Sequence, residues 1–274
     1  MNTIEANIKL HTAAVKNYKE VEPHYRKENI ENVRKYIKMI KKKTKGEKLL
    51  DIGCGMGFII DIAKEYFSFI RGIDVTPAML EKVDLTSKNK CDIKVILAKA
   101  ENIPFKNSTF DAVTAYAVLH HLKDLYKVFS EIYRVLKKGG MFYSGLDPNY
   151  YFWEAFSKLD KKNKYSDIVS RELKAVTDKD LELAKELKLS KKIIDKAEYH
   201  KHIRKGFKAE EIEAMIKKIG FSECKIELVW FIGQGKYIHD KKYSKCVKKI
   251  ENYLNEVLPL SRHFFKYINI FAVK

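Results

Sequence analysis

The stretch Lys48–Ile60, KLLDIGCGMGFII, decides how the chain is read. Leu49, Leu50 and Ile52 form a short apolar run, the pattern of a strand buried on both faces of a parallel sheet. Gly53, Gly55 and Gly57 follow at every second position. A backbone bare of side chains lets a ligand lie directly on the turn, and positive φ costs glycine little. Phe58, Ile59, Ile62 and Ala63 then open a helix whose N-terminal amides face the same turn. The segment reads as strand, glycine turn and helix, with one carboxylate, Asp51, at its mouth.

Spacing narrows the ligand. A dinucleotide turn of the form G-x-G-x-x-G needs a third glycine where Phe58 stands. A carboxylate beside the turn repels a pyrophosphate and suits a cationic ligand. The next apolar run, Phe69–Asp74 (FIRGID), ends in an acid 17 positions after Gly57. A carboxylate at the tip of a second parallel strand can accept both hydroxyls of a ribose.

Strand and helix keep alternating. Ile93–Ala98, Phe110–Ala115 and Met141–Leu146 read as strands. Leu125–Leu136 reads as a helix with Leu125, Val128, Phe129, Ile132 and Leu136 inward. Thr76 reads as an N-cap ahead of Pro77. This order demands a parallel sheet with helices on both faces, and its ligands sit beyond the carboxyl ends of the strands. Gly53, Asp74, Tyr116 and Asp147 are expected there. Residues 1–46 read as an N-terminal helical arm, broken at Pro23. Composition shifts at Tyr150, so 150–205 reads as a strand-free helical cap inserted into a core of 47–149 and 206–274. Ser222–Phe231 and Phe264–Val273 read as the last two strands, and Gly220 as a helix stop.

Taken together, LLDIGCGMG, GIDVTPAMLEKV, AKAENIPFKNSTFDAV, AVLHHLKD and RVLKKGGMF resemble the successive motifs of class I S-adenosylmethionine-dependent methyltransferases. More narrowly, they resemble the ubiquinone/menaquinone-type small-molecule subgroup. The resemblance covers Lys48 to Pro148, with a weaker echo at Phe207–Phe221. It implies an α/β fold: a doubly wound, mostly parallel seven-stranded sheet with the last two strands antiparallel at one edge. It also implies S-adenosyl-L-methionine as cofactor, leaving S-adenosyl-L-homocysteine. By resemblance the cofactor-binding residues are Asp51, Gly53, Cys54, Gly55 and Gly57 on the turn, with Asp74, Val75 and Met79 beside the ribose. Ala100, Glu101 and Ile103 would cover the adenine, and Tyr116, His121 and Tyr25 of the arm would meet the rest. Lys99 stands where the family often has an acid.

Methyl transfer from a sulfonium is an in-line displacement in which the protein supplies placement and, where the acceptor needs one, a base. His121 and His120 are the candidate catalytic bases. The aromatics opening the insert suggest an acceptor pocket of Tyr150, Tyr151 and Trp153, with His200 and Trp230.

The net charge of +18 invites a nucleic-acid partner, but 47 of the 54 basic residues are lysine, spread over every helix. Phosphate recognition favours arginine forks, so the charge reads as a solvated face and no specific nucleic acid is expected. The four cysteines are scattered without a C-x-x-C pair, which gives no disulfide framework and no expected metal site. No run approaches the ~20 apolar residues of a membrane span. The N-terminus lacks the apolar core of a signal peptide, so a cytoplasmic protein is expected. The expected activity is methylation of a small-molecule acceptor. The alternatives are an RNA or protein methyltransferase using the lysine-rich surface, or a cofactor-binding protein without turnover.

Overall fold

The computed structural model describes residues 1–160, 162–238 and 242–274. Seven strands form one sheet: β1 (Lys48–Ile52), β2 (Phe69–Asp74), β3 (Asp92–Leu97), β4 (Phe110–Tyr116), β5 (Leu136–Pro148), β6 (Glu223–Phe231) and β7 (Phe265–Val273). Their order is β3-β2-β1-β4-β5-β7-β6. The first five run parallel, and β7 pairs antiparallel with both β5 and β6. The order reverses at β1, between β2 and β4, which opens a crevice at the carboxyl ends of those three strands.

Two apolar layers clamp the sheet. On one face, helix Leu125–Val135 buries Leu125, Val128, Phe129 and Ile132 beside helix Ala209–Ile219. Asp124 caps the first of these, accepting from the Lys127 amide at 3.0 Å. On the other face, helix Lys27–Thr44 places Val33, Ile37 and Ile40 over Leu49 and Phe67. Each large apolar side chain buried in these layers contributes roughly 1.5–3 kcal/mol.

The insert leaves and rejoins the core at one point. Tyr150 N donates to Phe207 O at 2.9 Å and Phe207 N to Pro148 O at 2.8 Å. Gly206 (φ +95°) makes the return possible: a Cβ there would come within 2.6 Å of the Pro148 carbonyl oxygen. Between these points run helices Tyr150–Ser157, Asp167–Thr177, Lys179–Glu186 and Lys191–Ala197, then a wide turn at Tyr199–Ile203. The first packs on the β7 side of the molecule. The last meets the N-terminal helix Thr3–Ala14, where Ala6, Leu10, Ile194 and Ala197 bury one another.

Local details add to the sequence reading. Thr76 is the N-cap residue of helix Pro77–Leu80, but its side chain makes no capping bond, and its amide donates to Asp74 Oδ1 at 2.8 Å. β5 is longer than Met141–Leu146: its pairing with β4 includes Leu136, skips to Met141 across a register shift, and Gly139 and Gly140 bond Lys274 at 2.8 and 3.0 Å. The long segment between β6 and β7 holds helix Ser244–Glu256. No helix among the described residues is long and apolar enough to cross a membrane.

Candidate functional site

Asp51, the penultimate residue of β1, is only 1% exposed. The Thr114 hydroxyl on β4 donates to its Oδ1 at 2.8 Å. Burial pushes this carboxyl up to about 8, against the Thr114 hydrogen bond and with added repulsion from Asp74. The glycine turn follows. Cys54 N donates to Ile73 O at 3.0 Å, and Gly55 N to Asp74 Oδ2 at 2.9 Å, so the turn is tied to the tip of β2. Gly55 adopts φ +51°, and a Cβ built on it would meet nothing within 4 Å, because it would stand in the open crevice.

Two cavities share this crevice. The larger, of about 610 Å³, is lined by Gly53, Asp74, Val75, Ala100, Glu101, Val118 and His121 from the sheet side. Asn7 and His11 of the N-terminal helix and Lys196, Tyr199 and Ile203 of the insert close it from above. The smaller, of about 50 Å³, is lined by Tyr25, Asp51, Cys54, Gly55, Met79 and Tyr116. Gly53, Asp74 and His121 line both. The smaller cavity is ringed with aromatics: Tyr25 and His24 pack on Phe58 at 5.2 and 5.0 Å, and Phe58 on Tyr116 at 5.2 Å. The Tyr116 hydroxyl is spent on Asn29 Oδ1 at 2.9 Å, whereas the buried Tyr25 hydroxyl has no hydrogen-bond partner among the described residues. A bare turn, an acid at each of two strand tips and an orphaned phenol on one wall fit a ligand that carries a ribose at one end and charged groups at the other.

Of the residues picked out in the sequence, twelve line these cavities: Tyr25, Asp51, Gly53, Cys54, Gly55, Asp74, Val75, Met79, Ala100, Glu101, Tyr116 and His121. Gly57 and Ile103 line neither. Gly57 lies under the turn against Val83, and Ile103 packs into the core while its amide donates to Glu131 Oε2 at 2.8 Å. Tyr150, Tyr151, Trp153, His200 and Trp230 also lie outside both walls. Tyr151 bonds Glu210 and lies under Arg262, while Lys201 stands over the Trp153 ring at 5.6 Å. His200 packs on Phe207 at 4.9 Å, and burial pushes its imidazole down to about 4.

The two histidines after β4 divide. His121 reaches the cavities, and its Nδ1 is 2.9 Å from the Ala197 carbonyl. Burial, with His120 alongside, holds its imidazole well below the usual range. His120 turns away, and its Nδ1 lies 2.9 Å from Asp147 Oδ1. Sequence reasoning missed Asn7, His11, Val118, Leu122, Lys196, Tyr199 and Ile203 as lining residues. Val118 and Leu122 lie within the quoted AVLHHLKD motif, whereas Asn7, His11, Lys196, Tyr199 and Ile203 had no signal beyond the apolar spacing of the helices they lie on or follow.

Residues 50–144 match the profile of a family described as a methyltransferase domain. Two relatives share 35% identity with this chain over 103 residues. One is a demethylmenaquinone methyltransferase of Symbiobacterium thermophilum, with 35% of this chain and 41% of that protein aligned. The other is an 18S rRNA (guanine-N(7))-methyltransferase of Bos taurus, with 34% and 36% aligned. The chain thus spans about two fifths of the length of these curated relatives. A solved S-adenosylmethionine-dependent methyltransferase of Mesorhizobium loti superposes over 88% of this chain and 96% of its own at 14% identity, with a TM-score of 0.54, which is a likeness of fold.

Proposed function

We propose that this chain, which carries a class I S-adenosylmethionine-dependent methyltransferase domain of the quinone-type subgroup, methylates a small-molecule acceptor. The cofactor is S-adenosyl-L-methionine, which brings an activated methyl on a sulfonium. In this reading Asp74 takes the ribose hydroxyls, and Gly53 and Gly55 let the ligand approach the backbone. Ala100 and Glu101 flank the base. Asp51 and the Tyr25 hydroxyl face its charged amino acid end.

The observation that supports the small-molecule reading is the cover over the larger cavity. The chain's own first helix and the end of its insert lie across it and leave it part open, so with the cofactor's ribose and base on Asp74, Ala100 and Glu101 the remaining room suits a compact acceptor. Of its lining side chains Lys123 and Lys196 are basic and Asp74, Glu101 and Asp124 are acidic, so the lysine excess does not gather at this mouth. His121, neutral and at the junction of the two cavities, is placed to take a proton from a hydroxyl or enol acceptor. The sequence likeness to an rRNA methyltransferase favours a second reading, in which the lysine-rich surface carries an RNA.

One experiment separates them: transfer of label from methyl-labelled cofactor into size-fractionated cell extract. Label in the fraction below roughly one kilodalton is the expected result. Label confined to RNA overturns the small-molecule reading, and label in no fraction leaves only cofactor binding.

A further inference from the structure

Beside His121, the proposed base, lie Asp147, His120 and Glu198, which methyl transfer as described does not use. Asp147 at the end of β5 is fully buried. Its Oδ2 accepts from the Ser144 hydroxyl at 2.6 Å, and its Oδ1 faces the His120 backbone amide at 3.2 Å and His120 Nδ1 at 2.9 Å. A carboxylate can only accept, so His120 Nδ1 carries a proton and Nε2 is the ring atom open to a second partner. That nitrogen faces Glu198, whose Oε2 is 3.6 Å away. Glu198 belongs to the end of the insert, and its Oε2 is buried without a hydrogen-bond partner among the described residues. The nearest ammonium, Lys201 Nζ, reaches this oxygen only at 3.6 Å, beyond hydrogen-bond distance. A cation between Nε2 and this oxygen, a proton or a metal ion, would satisfy both. His121 completes the group: its Nδ1–H donates to the Ala197 carbonyl at 2.9 Å, which fixes the ring and leaves Nε2 as the nitrogen with a lone pair. One ligand atom from each of His120, His121 and Glu198 falls within 4.8 Å of the others.

We infer that His120, His121 and Glu198 form a binding site for a divalent first-row transition-metal ion. Two imidazoles and one carboxylate suit zinc or ferrous iron, and disfavour magnesium and calcium, which want oxygen donors. Metal–ligand distances near 2.0–2.2 Å put tetrahedral donors roughly 3.4 Å apart, so the three side chains would close in on the ion from separations of up to 4.8 Å. Asp147 is then the outer carboxylate that fixes the ring and tautomer of a ligating histidine. The ion would join the loop after β4 to the end of the insert, two elements that close the cofactor cavity. Asp51 and Asp74 take no part, so metal binding is tested apart from cofactor binding; a bound ion would occupy the His121 lone pair and exclude that residue as the acceptor's base.

The test uses tag-free full-length protein, stripped with chelator and titrated with Zn²⁺, Co²⁺ and Mg²⁺ by calorimetry, with the visible spectrum of the Co²⁺ form recorded. The expected result is one equivalent of Zn²⁺ or Co²⁺ bound, a raised melting temperature, and d–d bands of a site with nitrogen donors. Glu198→Gln, close in shape and still able to bind S-adenosylhomocysteine, should weaken Zn²⁺ at least tenfold, as should His120→Ala. Asp147→Asn should weaken it by roughly 10–100-fold. Absence of stoichiometric binding, a preference for Mg²⁺, or unchanged Zn²⁺ affinity in both Glu198→Gln and His120→Ala overturns the assignment.

Discussion

The Gly55 amide donates to the Asp74 carboxylate across 2.9 Å, so the ligand-facing turn after β1 and the acid at the tip of β2 are one unit. The other oxygen of Asp74 holds the Thr76 amide at 2.8 Å. A carboxylate fixed from both sides keeps lone pairs directed into the cavity without having to reorganise when a diol arrives. Asp74→Ala loses charge-assisted hydrogen bonds to that diol and frees the turn. Hydrogen bonds of this kind are worth roughly 1.5–3 kcal/mol each, so S-adenosylhomocysteine affinity should fall at least tenfold by calorimetry. NAD should not bind comparably to the parent. Unchanged affinity in Asp74→Ala removes the ribose assignment.

Asp51 makes stability depend on pH. Its folded carboxyl titrates at about 8, above the ordinary 3.8. Between those values the folded state holds more protons than the unfolded state, so stability falls as pH rises through the window. Asp51→Asn removes the titration. The variant should melt above the parent at pH 8.5 and show a flatter melting profile between pH 5 and 8. The same charge logic links the proton to the ligand: a cation beside Asp51 favours its ionised form, so cofactor binding at pH 7 should release protons. Calorimetry in buffers of different ionisation enthalpy reads this directly, and Asp51→Asn should abolish the buffer dependence.

The N-terminal helix is the upper wall of the larger cavity. Asn2 and Glu5 cap it reciprocally at 2.9 and 3.0 Å, and Asn7 donates to the His121 carbonyl at 3.3 Å. Deleting residues 1–14 takes away Ala6 and Leu10, the partners of Ile194 and Ala197, but leaves the layers on the sheet intact. The shortened protein should stay folded and release S-adenosylhomocysteine severalfold faster in stopped-flow displacement. Unchanged release would show that this helix does not gate the cavity.

If the lysines are a solvated face, binding to tRNA should be weak and should vanish near physiological salt, as expected for phosphate contacts alone. Retention of one RNA species at such salt, in filter binding, would support the RNA reading instead.

The sheet and the cofactor end of the site were legible from residues 48–148 because they depend on local pattern. Alternating apolar runs specify strands, and Gly53, Gly55, Asp51 and Asp74 lie at strand tips that any such sheet brings together. The sequence by itself therefore determined the order of elements and which acids face the crevice. Only the tertiary structure decided what closes it. Tyr150, Tyr151 and Trp153 looked like a pocket wall because they follow β5, yet the helix they form packs on the β7 side, and the opposite end of the insert reaches the cavity. Leu10 and Ile194, like His120 and Glu198, are far apart along the chain and become neighbours only when two helices pair and the insert folds back. Pairing at that range is set by burial of apolar faces across the whole molecule, and no local spacing encodes it.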